Sequence, residues 1–507
     1  MTASTEPPVS SLPVREGPTF ESVNPRTGDV VGEHPIHSPE EVAEAVERAR
    51  LAGIWWREIG FDGRKEYLLQ WRSVITRRLA QLTHLVHLET GKPHSDAQLE
   101  IGLAIDHIHW AAKHAKKVLG PRKVNSGVFA VNHESSVRYN PLGVVGVIGP
   151  WNYPVFTPLG STTYALAAGN TVVFKPSEYT PGVGQWLVDT FTEIVGGRPI
   201  LQLVTGFGET GAALCAAGVD KVAFTGSAAT GKRVMAACAE TLTPVVIEAG
   251  GKDSVIVDRD ADLAAAADGA LWSAMSNAGQ TCIGAERVYV HRAVFEPFMD
   301  ELLTRARTLR ADADPDSPLG PITMPKQLPI IQSHIDDAIA KGGRVVLGGA
   351  GAVGERFVQP TIITHVPEDS LAITEETFGP TLVVNPVDDM DEAVQLTNAT
   401  AYGLAGSVFG KRQATSIAER VRSGMTSINA VAMFAGVPAL PFGGVGDSGF
   451  GRIHGADGLR EFTYAKSITR QRFKPLLNLT TFERDEKTDK TAALLIGLLY
   501  GGKKTLR

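Results

Sequence analysis

Apolar side chains recur at helical spacing along the first 120 residues of the chain. Residues 38–41 (SPEE) have the form of a helix start: the serine can cap, the proline suits the first turn, and the glutamate completes a capping box. Apolar residues then recur every three or four positions over 42–49. Further helical segments are predicted at about 63–88 and 96–117. This part of the chain is therefore predicted to be mostly helical.

The pattern changes at residue 144, where short β-branched runs begin. Each run ends in Gly, Pro or Ser, and helical stretches separate most of them. The runs are VVGVIGP (144–150), TVVFKPS (171–177), LQLVTG (201–206), KVAFTGS (221–227) and PVVIEAGG (244–251). Strands that are buried on both faces and alternate with helices predict a parallel α/β sheet. Such a sheet binds its ligands outside the carboxyl ends of its strands.

A second α/β stretch is predicted from residue 254 to about 429. Its strands include RVYVHR (287–292), RVVLGG (344–349) and TLVVNPV (381–387), with helices near 262–275 and 293–309. Two other segments, 131–139 and 462–472, have the pattern of extended arms. Exposed strands of this kind often pair with another chain.

Composition narrows the class of protein. The chain has 507 residues, a length that predicts two to four structural units. Hydrophobic residues make up 43% of it, which is ample for large buried cores. The net charge is −6 and the Lys and Arg residues are scattered, so no nucleic-acid partner is expected. No window of about 18 apolar residues predicts a spanning helix. Residues 1–17 are polar and Pro-rich and lack the form of a secretory signal.

The three cysteines are Cys215, Cys238 and Cys282, and no C-x-x-C pair occurs among them. This sparse set argues against a disulfide framework and a zinc site, and no metal is expected. It favours a reducing, cytoplasmic location. Cys215 and Cys238 lie in Ala-rich helical stretches and are predicted to be inert buried thiols.

The segment 491–500 (TAALLIGLLY) is the most apolar part of the C-terminal region. It is too short to span a membrane, and Lys487, Lys490, Lys503 and Lys504 flank it. The favoured interpretation is a helix packed on the protein or on a neighbouring subunit. The alternative is a membrane-surface contact or a lid over a substrate funnel.

Cys282 ends residues 279–282 (GQTC), on a predicted loop between a helix and a strand. A loop of this kind can present a reactive side chain. The thiolate is the nucleophilic form, so a reactive role requires a local base or oriented dipoles. For a cysteine considered alone, an inert buried thiol is the better interpretation.

Glu248 and Asn152 follow predicted strands. Glu248 ends PVVIE, where partial burial would raise its pKa towards the range of a general base. An ion pair with Lys252 is an equally weighted alternative. Asn152 lies in PWNYP and could donate to an oxyanion together with the Cys282 backbone N–H. On local grounds, a simple turn residue is the better interpretation of Asn152.

Two further strand ends have the features of a nucleotide site. Residues 226–231 follow strand KVAFT and open a helix, where free N–H groups favour a pyrophosphate. Residues 206–211 (GFGETG) match G-x-G-x-x-G, which alone is weak support. Lys175 and Glu178 could bind ribose hydroxyls, and the carboxylate would repel a 2′-phosphate, which favours NAD over NADP. A capping or turn cluster is the alternative for this pair.

Together these segments resemble the aldehyde dehydrogenase superfamily. The matching motifs, in the order of the family, are PWNYP (150–154), KPSE (175–178), FTGS (224–227), EAGGK (248–252), GQTC (279–282), EETFGP (375–380) and PFGGVGDSGFG (441–451). Seven motifs in order over about 300 residues reverse the local interpretations above.

The resemblance implies an α/β fold with two Rossmann-like parallel-sheet domains, for cofactor and catalysis, and a small β oligomerisation arm. The implied boundaries are 18–122 for the helical part of the cofactor domain, 141–253 for the NAD(P)-binding sheet, 254–430 for the catalytic domain, 123–140 with 463–482 for the arm, and 483–507 for a tail. A homodimer or homotetramer is expected.

The resemblance also implies the roles of individual residues. Cys282 would be the nucleophile, Glu248 the general base and Asn152 the oxyanion donor. NAD is the implied cofactor, with NADP possible, and a small aldehyde is the implied substrate. The implied cofactor-binding residues are Ile148, Pro150, Trp151, Lys175, Glu178, Gly208, Phe224, Thr225, Gly226, Ser227, Ala249, Glu376 and Phe378.

The chain departs from the family pattern at two positions. Ser161 stands where many members carry a lysine, which argues against a lysine proton relay and leaves Glu248 or water to move protons. Ala249 replaces the common leucine of ELGGK and would loosen the nicotinamide pocket. The missing lysine and the 441–451 motif are similar to the branch that acts on fatty and aromatic aldehydes.

Three rival functions fit the sequence less well. CoA-acylating members usually lack the glutamate found at Glu248, and a non-catalytic paralogue would have lost Cys282, Glu248 or Asn152. A cysteine hydrolase requires a paired histidine, and none lies near a motif. The sequence therefore predicts oxidation of an aldehyde to an acid through a thioester on Cys282.

Overall fold

The computed structural model describes residues 17–315, 317–475 and 477–501. Most of the predicted N-terminal tail, together with Lys503 and Lys504, lies outside these described residues.

Helices and strands follow one another from Thr19 to Tyr500. The first are β1 (Thr19–Val23), β2 (Val30–Pro35), α1 (Pro39–Glu58), α2 (Gly60–Arg77), α3 (Leu79–Thr90), α4 (His94–Leu119), β3 (Arg122–Val124), β4 (His133–Pro141), β5 (Val144–Ile148), α5 (Phe156–Ala168), β6 (Thr171–Lys175), α6 (Pro181–Ile194), β7 (Leu201–Leu203), α7 (Gly208–Ala216), β8 (Lys221–Gly226), α8 (Ala228–Ala239) and β9 (Val245–Ala249). They are followed by β10 (Asp253–Val257), α9 (Leu263–Met275), β11 (Ala285–His291), α10 (Phe295–Ala306), α11 (Gln327–Ala340), β12 (Arg344–Leu347), β13 (Thr361–Thr364), α12 (Leu371–Thr374), β14 (Thr381–Val387), α13 (Met390–Thr397), β15 (Ala405–Phe409), α14 (Ala414–Arg420), β16 (Met425–Ile428), β17 (Gly449–Phe450), α15 (Gly455–Glu461), β18 (Thr463–Gln471) and α16 (Glu486–Tyr500).

The predicted capping box opens α1. Ser38 Oγ accepts from the backbone N–H of Glu41, and the Glu41 carboxylate accepts from the N–H of Ser38. The helical region predicted over 63–88 is present as two helices, because α2 and α3 meet at Arg78, which has a φ of −101°. The Arg78 N–H still donates to Val74 O, so the apolar spacing continues across the break. The helical spacing of apolar residues therefore gave no sign of the break between α2 and α3.

The first large sheet has six strands in the order β17-β9-β8-β5-β6-β7. Five of them are parallel, as predicted, and β17 adds an antiparallel edge beside β9. Helices α1, α7 and α8 bury their apolar faces against this sheet, in a core that includes Val46, Leu214 and Val234. Burial on both faces explains why its strands consist of continuous apolar runs.

The second large sheet has seven strands in the order β12-β13-β14-β11-β10-β15-β16. The predicted strand 344–349 is present as β12, which pairs antiparallel to β13, whereas the other pairings are parallel. Helices α9 and α10 cover this sheet, with Leu271, Phe298 and Leu302 in the core. An α/β fold with two mostly parallel sheets is confirmed, whereas the boundary between residues 253 and 254 stays a prediction.

The described chain divides into two compact units, and the second contains residues 120–140, 465–475 and 477–501. Its strands β3, β4 and β18 form a three-stranded sheet in the order β18-β4-β3, from the segments predicted to be arms. The apolar residues of α16 from Leu494 to Tyr500 are exposed. No helix of the described residues is long and apolar enough to cross a membrane.

Candidate active site

Four of the predicted motifs meet at one edge of the first large sheet. The register pairs Ile148 on β5 with Lys175 on β6, and Thr225 on β8 with Glu248 on β9. The strands are parallel, so the segments that follow them leave the sheet on the same side. The segment after β5 carries Asn152. The residues that the four motifs contributed separately in the sequence therefore lie at the same edge of the sheet.

The Cys282 loop joins α9 to β11 through a tight turn. Asn277 and Ala278 have φ values of 52° and 54°, in the left-handed region that non-glycine residues seldom adopt. Gly279 follows at φ 73°, and a Cβ on it would collide with the carbonyl of Gly379. The backbone of the Cys282 loop thus lies directly against the 375–380 segment.

Gln280 fixes this loop from inside the protein. Its buried amide donates to the carbonyls of Asn277 and Pro321 at 2.9 and 3.1 Å. Its side-chain oxygen accepts from the N–H of Thr323 at 2.8 Å. Cys282 itself is half-buried at the cavity wall. The sequence predicted that Cys282 lies on a loop between a helix and a strand, and the structure confirms that position.

Asn152 is bonded to the same loop. Its side-chain amide donates to the carbonyl of Gln280 at 3.0 Å, two residues before Cys282. An amide nitrogen carries two hydrogens, so one remains for another acceptor in the cavity that Asn152 lines. The bond ties the amide to the segment that presents the thiol.

Sequence reasoning missed the ion pair behind Asn152. Lys92 Nζ donates to Glu100 Oε2 at 2.7 Å and to the Asn152 carbonyl at 2.6 Å. The other Glu100 oxygen accepts from the N–H groups of Val155 and Phe156, at 2.7 and 3.0 Å. The pair therefore holds the backbone at Asn152 and at the third and fourth residues after it. The sequence did contain one sign of this ion pair: Glu100 is a charged residue at a position of α4 whose neighbours on the same face are apolar and buried.

Glu248 is buried, and neither of its carboxylate oxygens has a hydrogen-bond partner among the described residues. Burial raises the pKa of this carboxyl well above its usual range, and the nearby Arg452 opposes the shift. The alternative of a pair with Lys252 was wrong, because Lys252 is bonded to Glu286. A buried acid without a partner is unusual in a purely structural role.

The 441–451 segment packs against Glu248, a contact that sequence reasoning did not foresee. Gly449 on β17 pairs with Glu248 across the sheet. Gly443 has a φ of +150°, and a Cβ on it would lie 2.8 Å from Glu248 Oε1. The glycines of this motif therefore leave room for the carboxyl group.

The Cys282 thiol lies among acidic groups. Burial raises its pKa to about 12, and the charges of Glu376, Asp253 and Glu248 act in the same direction. The thiol is therefore protonated at neutral pH in this arrangement. Formation of the thiolate requires an acceptor for its proton or a positive charge brought into the site.

The cavity brings most of the predicted cofactor residues together with Cys282, Glu248 and Asn152. Those that line it are Pro150, Trp151, Thr225, Gly226, Ser227, Ala249, Glu376 and Phe378. Trp151 and Phe378 meet edge to face, with ring centroids 5.6 Å apart. Glu376 accepts from the N–H of Gly251 at 3.2 Å, and burial raises its pKa to about 8.

The remaining predicted cofactor residues lie outside the cavity lining. Lys175 is buried at the end of β6, and Glu178 follows three residues later. Gly208 opens α7, whose Gly211 approaches the Lys175 side chain; a Cβ there would lie 3.6 Å from Lys175 Cδ. Ile148 ends β5. Phe224 is buried beneath the turn that leads into α8.

The residues at this edge fit a dinucleotide. Ser227 caps α8 and accepts from the Thr230 N–H, which leaves earlier N–H groups of the helix for an anion. The buried Lys175 ammonium donates to Pro176 O at 3.0 Å, and further donors remain for ligand hydroxyls. Among the described residues that line the cavity there is no Lys, Arg or His.

Several known proteins have sequences similar to that of this chain. A sequence model of the aldehyde dehydrogenase family matches residues 14–468. The 4,4'-diapolycopene aldehyde oxidase of a Methylomonas species is 37% identical over 453 residues, covering 89% of this chain and 85% of its own. A Mycolicibacterium smegmatis protein named as an NADP-dependent succinate-semialdehyde dehydrogenase is 34% identical, covering 93% and 91%.

Solved structures share the fold. The NAD-dependent aldehyde dehydrogenase of Sinorhizobium meliloti superposes with a TM-score of 0.87 at 33% identity, covering 92% of this chain and 93% of that one. The betaine aldehyde dehydrogenase of Staphylococcus aureus, in complex with NAD+, gives 0.85 at 30% identity, covering 92% and 94%. With the motifs, the fold and these relatives in agreement, the chain belongs to the aldehyde dehydrogenase family.

Proposed function

We propose that this NAD(P)-dependent aldehyde dehydrogenase uses Cys282 as its nucleophile, Asn152 as its oxyanion donor and Glu248 as its general base. The observation that carries the proposal is the Glu248 carboxyl, which is buried, has no hydrogen-bond partner in the described chain, and lines the same cavity as Cys282. A group kept in this state is available to exchange protons.

In the first half-reaction, Cys282 sulfur attacks the aldehyde carbon and its proton leaves to Glu248 or water. The free hydrogen of the Asn152 amide, and the Cys282 backbone N–H, donate to the oxygen that becomes negative. Collapse of this adduct releases a hydride and leaves a thioester on Cys282. When bound, the cofactor supplies the hydride acceptor and, in its oxidised form, a positively charged ring.

In the second half-reaction, Glu248 takes a proton from water as the water oxygen attacks the thioester carbonyl. The carbon–sulfur bond breaks, the acid leaves, and the Cys282 thiol regains a proton. Dividing the oxidation into two steps makes each of them easier. The presence of Glu248 supports hydrolysis over transfer of the acyl group to CoA.

The chain's own residues would hold the cofactor. The first turn of α8 and Ser227 suit the pyrophosphate, Lys175 and Glu178 the adenosine ribose, and Glu376 the nicotinamide ribose. The Phe378 ring, packed on Trp151, would lie at the nicotinamide.

The test is NADH fluorescence with an aldehyde panel, with and without CoA. Wild-type enzyme should form NADH without CoA, and the Cys282→Ser variant should lose that activity. Cys238→Ser is the matched control, since Cys238 is buried in α8, and it should retain activity. Wild-type turnover by Cys282→Ser would overturn the nucleophile, and a strict requirement for CoA would overturn hydrolysis.

We further infer that the chain assembles as a homodimer or homotetramer in the cytoplasm. Strand β18 is an edge strand of the three-stranded sheet and is mostly exposed, so it can pair with a second copy. The exposed apolar residues of α16 add surface of the kind that neighbouring subunits cover. The three free thiols suit a reducing compartment.

Light scattering of the full chain tests the assembly. A single species of two or four subunits is expected, and a monomer at micromolar concentration would refute it. Flotation with anionic vesicles tests the alternative for α16. Flotation of the oligomer would assign this helix to a membrane surface instead.

A further inference from the structure

We propose that the substrate is an uncharged, apolar aldehyde and that the site excludes aldehydes that carry a carboxylate. This inference rests on the proposed function and names the substrate class of that same cavity. The family leaves the choice open, because its members include proteins named for succinate semialdehyde and for betaine aldehyde.

The wall of the cavity away from the nucleotide residues is apolar. Leu99 and Leu103 come from α4, and Trp272 comes from α9. The segment between β16 and β17 contributes Ala435 and Phe442. These side chains offer dispersion contacts to a hydrocarbon, and the Trp272 indole N–H is the one hydrogen-bond donor among their side chains.

Four carboxyl groups of the described residues line the cavity. They belong to Asp96, Glu100, Glu248 and Glu376, and no lysine, arginine or histidine accompanies them among the described lining residues. A substrate carboxylate would lose its hydration and gain no cation from the lining in exchange.

Lys92 and Arg452 are basic residues near the cavity, and both are bonded to other groups of the protein. Lys92 Nζ is held by Glu100 and the Asn152 carbonyl, and it lies 4.1 Å from the centroid of the Tyr153 ring. Arg452 donates to the carbonyls of Gly444 and Gly451, at 2.9 and 2.6 Å. Neither side chain is among the described residues that line the cavity.

The apolar lining reaches the protein surface. Leu99 and Trp272 line the cavity and are also 49% and 46% exposed, so they stand where it opens. Leu440, in the segment that also contributes Ala435, is 45% exposed. An apolar tail that extends outward from the thiol would therefore remain against hydrocarbon side chains up to the mouth.

The experiment compares substrates matched in shape and different in charge. Succinate semialdehyde is paired with its methyl ester, and betaine aldehyde with its tert-butyl isostere. We expect kcat/KM for the ester to exceed that for the acid by about 100-fold, because an unpaired charge is costly to desolvate. Straight-chain aldehydes should gain about fourfold per added methylene until the tail reaches the mouth.

Two results would overturn the inference. One is kcat/KM for succinate semialdehyde at or above that of its ester. The other is a preference for betaine aldehyde over the tert-butyl isostere, which would show that the acidic groups select a cation. Absence of NADH with every aldehyde would instead refute the proposed function.

Variants at Leu103 test whether the missing positive charge is the reason that carboxylate substrates are excluded. Leu103 is half-buried at the cavity wall, so Leu103→Arg adds a cation there without burying it fully. The ester-to-acid ratio should fall by about tenfold in Leu103→Arg and change little in Leu103→Gln, which is polar and uncharged. Equal ratios in the two variants would refute charge as the basis of the selection.

Discussion

Replacement of Lys92 by methionine should destabilise the protein strongly. The Lys92 and Glu100 side chains are both 0% exposed and 2.7 Å apart. Methionine keeps most of the volume and removes the charge. The Glu100 carboxylate would then be buried with only the N–H groups of Val155 and Phe156 as partners.

The expected magnitude follows from that arrangement. Removing one partner of a buried pair costs about 3–5 kcal/mol, because it leaves an uncompensated charge. Two backbone donors remain on Glu100, so we expect the lower end, about 3 kcal/mol. Lys116→Met is the matched control: Lys116 lies 2.6 Å from Asp62, with the two side chains 65% and 63% exposed, and its loss should not be measurable.

Urea unfolding provides the assay, with every variant at one protein concentration because assembly affects apparent stability. The Lys92→Met/Glu100→Gln double variant should recover part of the loss, since it leaves no unpaired charge. A Lys92→Met effect as small as that of Lys116→Met would refute the reasoning. Lys92 also holds the Asn152 carbonyl, so kcat of Lys92→Met should fall more than KM changes.

Three further predictions concern chemistry and pH. Glu248→Gln should give a burst of NADH followed by slow turnover, and a missing burst would move Glu248 to the first half-reaction. Wild-type enzyme should favour NAD, and Glu178→Gln should lower the NAD-to-NADP ratio of kcat/KM by about tenfold, because a carboxylate repels the 2′-phosphate; an unchanged ratio would contradict this. Burial holds the pKa of His454 well below its ordinary 6.5, so the unfolded chain binds the extra proton and stability falls as pH drops below that value. Urea unfolding between about pH 7 and 5 should show an average slope smaller by about 1 kcal/mol per pH unit in His454→Asn, and equal slopes would exclude His454 as the cause.

The features predictable from the sequence were local. The capping box at Ser38 and the strand that carries Glu248 depend on neighbours in the chain, and both are present, the strand ending one residue later at Ala249. The pairing of strand β17 with strand β9 joins segments about 200 residues apart in the chain. Strand β17 has only two residues, which is too short for an alternation of apolar and polar positions to be recognised. Glu100 disrupts an otherwise apolar helix face, but no local pattern indicates that its partner is Lys92, eight residues earlier.

The contact between Gly279 and Gly379 bears on how this enzyme could acquire new substrates. A Cβ on Gly279 would collide with the Gly379 backbone, so Gly279 accepts no side chain, and the thiol loop and the Glu376 segment must keep their spacing. The wall built from Leu99, Leu103 and Trp272 consists of side chains at an open mouth. Single substitutions on that wall can change the aldehyde accepted while the chemistry stays intact, which makes it the place to begin engineering.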